Sequence, residues 1–329
     1  MPASRYATRL NSFKVNAEQY WPGKNGKVTT LEVMERASKV KNLNAVDFNF
    51  PDHLESHSET EISNKLQELG LSLNGFAMRY YSNPSYKIGA FTNPEAKIRR
   101  EAIDLTKRGL DSLAKLGGNL MTLWMGQDGF DYSFQANYDH LWDHTIVAMR
   151  EVADHNPQID ISIEYKPNEP RSFSLMPDVA TTLLALKDID RKNTGVTLDF
   201  AHVLYADEMP AFAACLIHRH SRLLGVHLND GYGKRDDGLM VGAVHPIQTI
   251  ELLYMLDRIG YDAAIYFDTF PDITGLDPIA ECSTNISVVE AMKAVVKKLK
   301  NNDHLAAAIN NQDALTSQAI VQAAIFNLG

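Results

Sequence analysis

Four short apolar runs in the second half of the chain each end on a side chain that can bind a metal or carry a proton. They are Ile161-Ser-Ile-Glu164, Val196-Thr-Leu-Asp199, Gly225-Val-His227 and Ala264-Ile-Tyr-Phe-Asp268. Lys166, His202 and Asn229 stand just beyond three of them. Three carboxylates with one imidazole form an oxygen-rich donor set. Such a set suits Mg²⁺, Mn²⁺ or Co²⁺ better than a structural zinc, whose sites favour cysteine. Asp and Asn also start helices and turns, so any one of these residues could be a cap. One at the end of each of four successive strands is a stronger pattern. Lys166 follows Glu164 by two residues, which in an extended segment places both on one side. Its ammonium could polarise a substrate oxygen or close a salt bridge on the carboxylates.

For these residues to meet, their strands must lie parallel and adjacent. Apolar, β-rich runs at 6–13, 45–50, 71–78, 120–124, 161–165, 195–198, 224–228 and 263–267 read as strands. Helical patterns at 94–116, 138–155, 179–187, 209–220 and 247–259 lie between them. Alternation of strand and helix implies parallel βαβ units, and eight strands imply a closed barrel whose C-terminal edges share one mouth. The expected fold is α/β, a single (β/α)8 TIM barrel. The loops after Met78, Tyr165 and Leu228 are long and polar while the turns before strands are short, as expected when one face holds an active site. Residues 1–283 are assigned to the barrel. Helices at 284–300 and 303–326 form a C-terminal extension, 284–329, that packs on the barrel or on a neighbouring subunit.

The bulk composition narrows the classes. The chain has 329 residues, 45% hydrophobic and 22% charged, with a net charge of −9. An acidic protein is a poor partner for nucleic acid, which is bound by neutralising phosphates. Cys215 and Cys282 show no pairing pattern, the start MPASRYATRL lacks the apolar core of a signal peptide, and no run is long enough to span a membrane. A cytoplasmic protein without membrane or nucleic-acid partners is expected. His140 and His144 lie one helical turn apart without a third ligand nearby in sequence, His218 and His220 suit a helix C-terminus, and His245 begins a loop or helix. These are read as surface or packing residues.

The segment Glu164-Tyr-Lys-Pro-Asn-Glu-Pro-Arg171 resembles the E-x-K-P-N-E-P-R signature of xylose isomerases. Trp124-Met-Gly-Gln-Asp-Gly-Phe-Asp-Tyr132 is similar to their W-G-G-R-E-G segment, and residues 82–92 to the loop after their third strand. Asp236-Asp-Gly238-Leu-Met-Val-Gly-Ala243 resembles their D-x-D-L-x-F-G-A loop. The resemblance implies that Glu164, Asp199, His227 and Asp268 hold a first, tight divalent metal. His227 stands where the family has a carboxylate, so the set looks more like that of rhamnose isomerases. Asp199, His202 and Asp236 would hold a second, weaker metal. Lys166, Glu164 and Asp268 would be the catalytic residues, with Lys166 at the carbonyl oxygen of an open-chain sugar. Trp124, Tyr81, Asn49, His53 and Asn229 would bind substrate.

Two departures from the family stand out. Gly238 replaces the second carboxylate of the D-x-D loop, with Asp237 as the substitute after a register shift. Asn49 stands in the place of the ring-opening histidine, with His53 and Asp52 as substitutes. The resemblance implies a metal-dependent aldose–ketose isomerase using a hydride shift. Its sugar would be a tetrose, a pentose, a branched pentose such as apiose, or a deoxyhexose. A ketose 3-epimerase with one metal and two acid/base carboxylates is the alternative. An abasic-site nuclease would need more His and Glu ligands and a basic face, and a sugar sensor without catalysis has only Gly238 in its favour. A homodimer or homotetramer is expected, with the loop Tyr20-Trp21-Pro-Gly23 reaching into a partner's pocket.

Overall fold

The computed structural model describes residues 5–14, 17–21, 23, 24 and 28–327. Eight strands close into a parallel barrel: β1 (Tyr6–Arg9), β2 (Ala45–Phe50), β3 (Ser72–Met78), β4 (Leu120–Leu123), β5 (Asp160–Glu164), β6 (Thr194–Asp199), β7 (Leu223–Leu228) and β8 (Ile265–Phe267). Each pairs with its sequence neighbour, and β8 closes on β1. All six residues of β2 and of β6 are buried. That follows from helices covering the outside and side chains filling the inside of an all-parallel sheet. The register places Asp199 beside His227 and His227 beside Tyr266. The C-terminal ends of β5 to β8 therefore present their last residues to one another.

The outer helices form where apolar residues repeat at helical spacing. The helix Ala96–Lys115 buries Ala102, Ile103, Thr106, Gly109, Leu110 and Leu113 as one stripe. The short helices Thr30–Ala37 and Glu59–Leu69 are absent from the sequence reading. Each starts in a capping box, Thr29 with Glu32 and Ser58 with Glu61. β1 is also shorter than expected: after Arg9 the chain turns into Asn11–Lys14, which is helical.

The C-terminal segment differs from expectation in two ways. The helix Pro278–Leu299, capped by Asp277, packs on Pro246–Arg258 and runs across the division at 283/284, so that division falls inside the last barrel helix. The segment expected as one helix over 303–326 is two, Asp303–Asn310 and Ala314–Phe326. Gln312 breaks it with a φ of 54°, and Asp313 caps the new start by accepting from Thr316 N–H at 3.0 Å. Trp21 lies against its own chain, with the buried Arg36 guanidinium 5.1 Å from its ring, rather than projecting outward. Pro22 of that loop lies outside the described residues. Among the described residues no helix is long and apolar enough to cross a membrane.

Candidate metal centre and substrate pocket

Glu164 and Asp199 end β5 and β6, His227 is the penultimate residue of β7, and Asp268 follows β8. One ligand atom from each lies within 4.8 Å of all the others. Trans ligands around an octahedral Mg²⁺ stand roughly 4.2 Å apart, from bonds of about 2.1 Å. His227 Nδ1 lies 3.4 Å from Glu164 Oε1 and 3.9 Å from Asp199 Oδ2. It is buried without a hydrogen-bond partner. A buried bare imidazole nitrogen facing carboxylates is what a metal ligand looks like, so the residues present fit a divalent cation.

The charges say the same. Burial pushes the Asp199 carboxyl up to about 7, and the neighbouring Asp236 and Glu164 carboxylates add to the push. Burial alone would lower His227, but Glu164 outweighs it and lifts the imidazole to about 9. Burial would also raise Glu164, but His227 and His202 hold it at about 2. Three carboxylates in so small a volume need positive charge among them. Asp199 is also a helix cap, accepting from His202 N–H at 3.0 Å, so the capping and ligand readings hold together.

Asn229, expected on the substrate, lies behind the cage instead. It is fully buried, donates to both Asp199 oxygens at 3.3 and 3.2 Å and to the Asp268 carbonyl at 3.1 Å, and accepts from Ala201 N–H at 2.9 Å. Its side chain holds two cage residues in place.

The second ligand set is only partly assembled. His202 Nε2 lies 3.1 Å from Asp236 Oδ2, and Nδ1 lies 3.0 Å from the Tyr165 carbonyl. Burial would lower His202, but Asp199 and Asp236 lift it to about 10, which makes both ring nitrogens donors. Lys166 Nζ donates to the same Asp236 oxygen at 3.1 Å and pairs with Glu169 at 3.0 Å. Asp199 Oδ1 lies 4.0 Å and Glu164 Oε1 3.6 Å from His202 Nδ1, but the D-x-D loop adds no second carboxylate. Gly238 has a φ of 56°, and a Cβ there would stand 2.3 Å from Phe270. Asp237 turns away, accepting from Tyr232 N–H at 2.8 Å and Arg235 Nε at 2.7 Å. The register shift expected for Asp237 does not occur, because those two donors hold it in the loop.

A cavity of about 200 Å³ opens above the cage. Glu164, His202, His227, Asp236 and Asp268 border its floor side, with Trp124, Tyr81, Met78, Phe270, Arg9 and Arg79 around them. Tyr81 meets Trp124 edge-on at 5.5 Å, so both expected aromatic residues are there. Lys166 does not border the cavity, and its ammonium lies 5.3 Å from the Trp124 ring centre. Asn49 and His53 do not border it either. His53 Nδ1 accepts from Asn49 N–H at 2.9 Å, which leaves Nε2 to donate to Asn11 Oδ1 at 2.9 Å. Burial and nearby cations hold this histidine neutral, down to about 3. With both ring nitrogens engaged, His53 is not free for the ring-opening role offered to it, and Asp52 borders a separate outer groove. Arg9, Arg79, Tyr266 and Phe270 were missed. Arg79 follows the run 71–78, so the strand-end rule that found the cage would have found it had it been applied to the early strands; Arg9 ends β1 only because that strand stops short of the expected 6–13.

The three motif segments brace one another. Arg171 donates from Nε to Asp131 at 2.9 Å and from Nη1 to the Gln127 carbonyl at 3.2 Å, and strands Gly129–Phe130 and Phe173–Ser174 pair antiparallel. Asp128, buried, accepts from Ala90 N–H, Thr92 N–H and Thr92 Oγ1 at 3.1, 2.7 and 2.6 Å. The octapeptide thus holds the tryptophan segment, which holds the loop after β3. Trp124 and Tyr81 owe their positions to these ties.

A larger cavity of about 310 Å³, walled by Arg5, Asn74, Asp160, Arg222 and Asp262, opens at the other end of the barrel. Barrel chemistry is carried at the C-terminal ends of strands, where the cage stands. His140 and His144 rings lie 5.9 Å apart, and among the described residues no third ligand joins them. His245 is bound to Asp230 at 2.9 Å.

A family model described as xylose isomerase-like TIM barrel matches residues 35–290. The xylose isomerase of Thermus thermophilus is 27% identical over 209 residues, 62% of this chain. The chain spans about half of that protein's length, 54%. A solved L-ribulose 3-epimerase superposes with a TM-score of 0.69 at 13% identity, covering 90% of this chain and 96% of its own. A xylose isomerase domain protein from Alicyclobacillus acidocaldarius superposes with a TM-score of 0.67 at 18% identity, covering 90% and 100%. At these identities the two structures speak for the fold. The family match covers most of the barrel and all four cage residues, and the chain belongs to the xylose isomerase-like TIM-barrel family.

Proposed function

We propose that this chain is a divalent-metal-dependent aldose–ketose isomerase acting on a small open-chain sugar. The observation that carries the reading is the four-ligand cage of Glu164, Asp199, His227 and Asp268 opening on a cavity of about 200 Å³ roofed by Trp124 and Tyr81. Mn²⁺, Mg²⁺ or Co²⁺ held there would supply Lewis acidity to two neighbouring substrate oxygens. The net reaction moves a hydrogen from C2 to C1 and a proton from O2 to O1, turning an aldose into a ketose. Asp236 borders the cavity, and its Oδ1 is buried without a partner. In this reading that oxygen would take a substrate hydroxyl and pass its proton once the sugar is bound. Lys166 and His202 hold the opposite oxygen and steady its charge. The aromatic roof covers the C–H surface of the sugar and excludes water.

A specific observation favours a second reading, a ketose 3-epimerase. Phe270 fills the space of a second D-x-D carboxylate, so one metal suffices, and Glu164 and Asp268 both border the cavity as an acid/base pair. Against it stand Lys166, Asp236 and His202, which a one-metal epimerase does not need. The test is a metal-stripped, Mn²⁺-reconstituted assay on tetroses, pentoses, branched pentoses and deoxyhexoses in D₂O, read by NMR. Aldose–ketose conversion with little deuterium uptake supports the isomerase. Deuterium at C3 of a ketose supports the epimerase and removes the isomerase.

A homo-oligomer is part of the same proposal. The helix Ala314–Phe326 carries no charged residue and none of its residues is buried; Leu315 is 84% and Phe326 64% exposed. Ile320, Val321, Ala324 and Ile325 pack it against its own chain, and the uncharged outer face that remains suits burial against another copy.

A further inference from the structure

The cavity has two electrical poles. Glu164, Asp268 and Asp236 line it from β5, β8 and the loop after β7, and Arg9 and Arg79 line it from the ends of β1 and β3. Those two strands flank β2, whose last residues Asn49 and Phe50 are uncharged and buried. The two arginines therefore face the pocket from either side of a strand end that carries no charge.

Arg79 is the informative one. Its Nε is buried without a hydrogen-bond partner, and no carboxylate among the described residues comes within 4.0 Å of its guanidinium. Its side chain lies 5.3 Å from the Tyr81 ring centre. Asp52, Glu55, Glu101 and Asp104, which border an outer groove together with Arg79, all stay beyond ion-pair distance of it. Arg9 Nε stands 3.9 Å from Asp268 Oδ1 and its guanidinium 4.7 Å from the Phe270 ring centre. A divalent cation and Arg9 would answer the three cage carboxylates, and Lys166 answers Asp236. Arg79 remains as the charge with no counterpart in the wall. The arginine fork matches a carboxylate or phosphate in two parallel hydrogen bonds, and a partly buried arginine left without a counter-ion is costly.

We propose that the substrate is an anionic sugar, its carboxylate or phosphate held by Arg79 with Arg9 while two neighbouring oxygens at its other end reach the cage. This rests on the isomerase reading for the word sugar but not for the anion site. The experiment offers the Mn²⁺-reconstituted full chain neutral sugars of four to six carbons, sugar acids with a terminal carboxylate, and terminal sugar phosphates. One anionic class is expected to exceed its neutral counterpart in kcat/KM by about 10- to 100-fold, and which class does so separates carboxylate from phosphate. R79M should remove that preference mainly through KM, and R79K should restore part of it. A neutral sugar used best, with the preference unmoved in R79M, overturns the proposal. Calorimetry with D-glycerate, glycerol phosphate and glycerol decides the matter if no sugar is turned over. Binding of either anion, absent with glycerol and weakened in R79M and less so in R79K, upholds the anion site while the isomerase reading falls; equal binding of all three overturns it.

Discussion

A Cβ on Gly238 would stand 2.3 Å from the Phe270 ring, and the Gly238 carbonyl accepts the Phe270 N–H at 2.8 Å. The ring of Phe270 thus occupies the space that a second D-x-D carboxylate would take, and Arg9 lies against that ring. Restoring the family residue with G238D should therefore not create a second metal site. It should destabilise the fold by about 1–3 kcal/mol through overpacking and a positive φ. Mn²⁺ titration with thermal unfolding checks this, with one tight ion per chain expected for wild type and variant alike. A stable G238D that binds a second ion would contradict the placement of Phe270.

Metal removal should lower stability, since a cation that binds only the folded cage contributes about 2.7 kcal/mol at a hundredfold excess over Kd. Chelation should lower Tm and Mn²⁺ should restore it. E164Q and D268N should show neither the shift nor turnover. An unchanged Tm on chelation, with metal analysis confirming removal, would argue against the cage as a metal site.

Lys166 lies outside the cavity wall and, in the proposed mechanism, acts through Asp236. K166M should keep Mn²⁺ binding and lower kcat by about 100-fold with little change in KM. Retention of full kcat would remove Lys166 from the mechanism.

Arg171 and Asp131 join the octapeptide to the tryptophan segment. A double-mutant cycle over R171A and D131A should give a coupling of about 1 kcal/mol, modest because Asp131 is partly exposed. R171K should fall short of wild type, because a lysine cannot reach both Asp131 and the Gln127 carbonyl. A coupling of zero would mean that the brace does not act.

L315E should shift the particle toward monomer in sedimentation. A wild-type chain that is already monomeric would overturn the proposed role of the helix Ala314–Phe326.

The barrel and its cage were legible in the sequence because both rest on local rules. Parallel strands read as apolar runs whose C-terminal ends meet at the mouth, and Glu164, Asp199, His227 and Asp268 stand in or next to those ends. Where local signal was weak, the reading failed. The helices Thr30–Ala37 and Glu59–Leu69 are only eight and eleven residues long, so a periodic pattern has few turns in which to show, and the break at Gln312 depends on one backbone angle. Side-chain direction in loops was beyond sequence reasoning altogether. Asp237 was a candidate ligand until Tyr232 and Arg235 were seen to hold it, and His53 a candidate acid until Asn49 and Asn11 were seen to use both its nitrogens. Asn229 likewise turned from a substrate contact into a support for Asp199. Strand ends are set by periodicity along the chain, whereas a loop side chain turns toward whichever distant partner satisfies it, and only the tertiary structure brings those partners together.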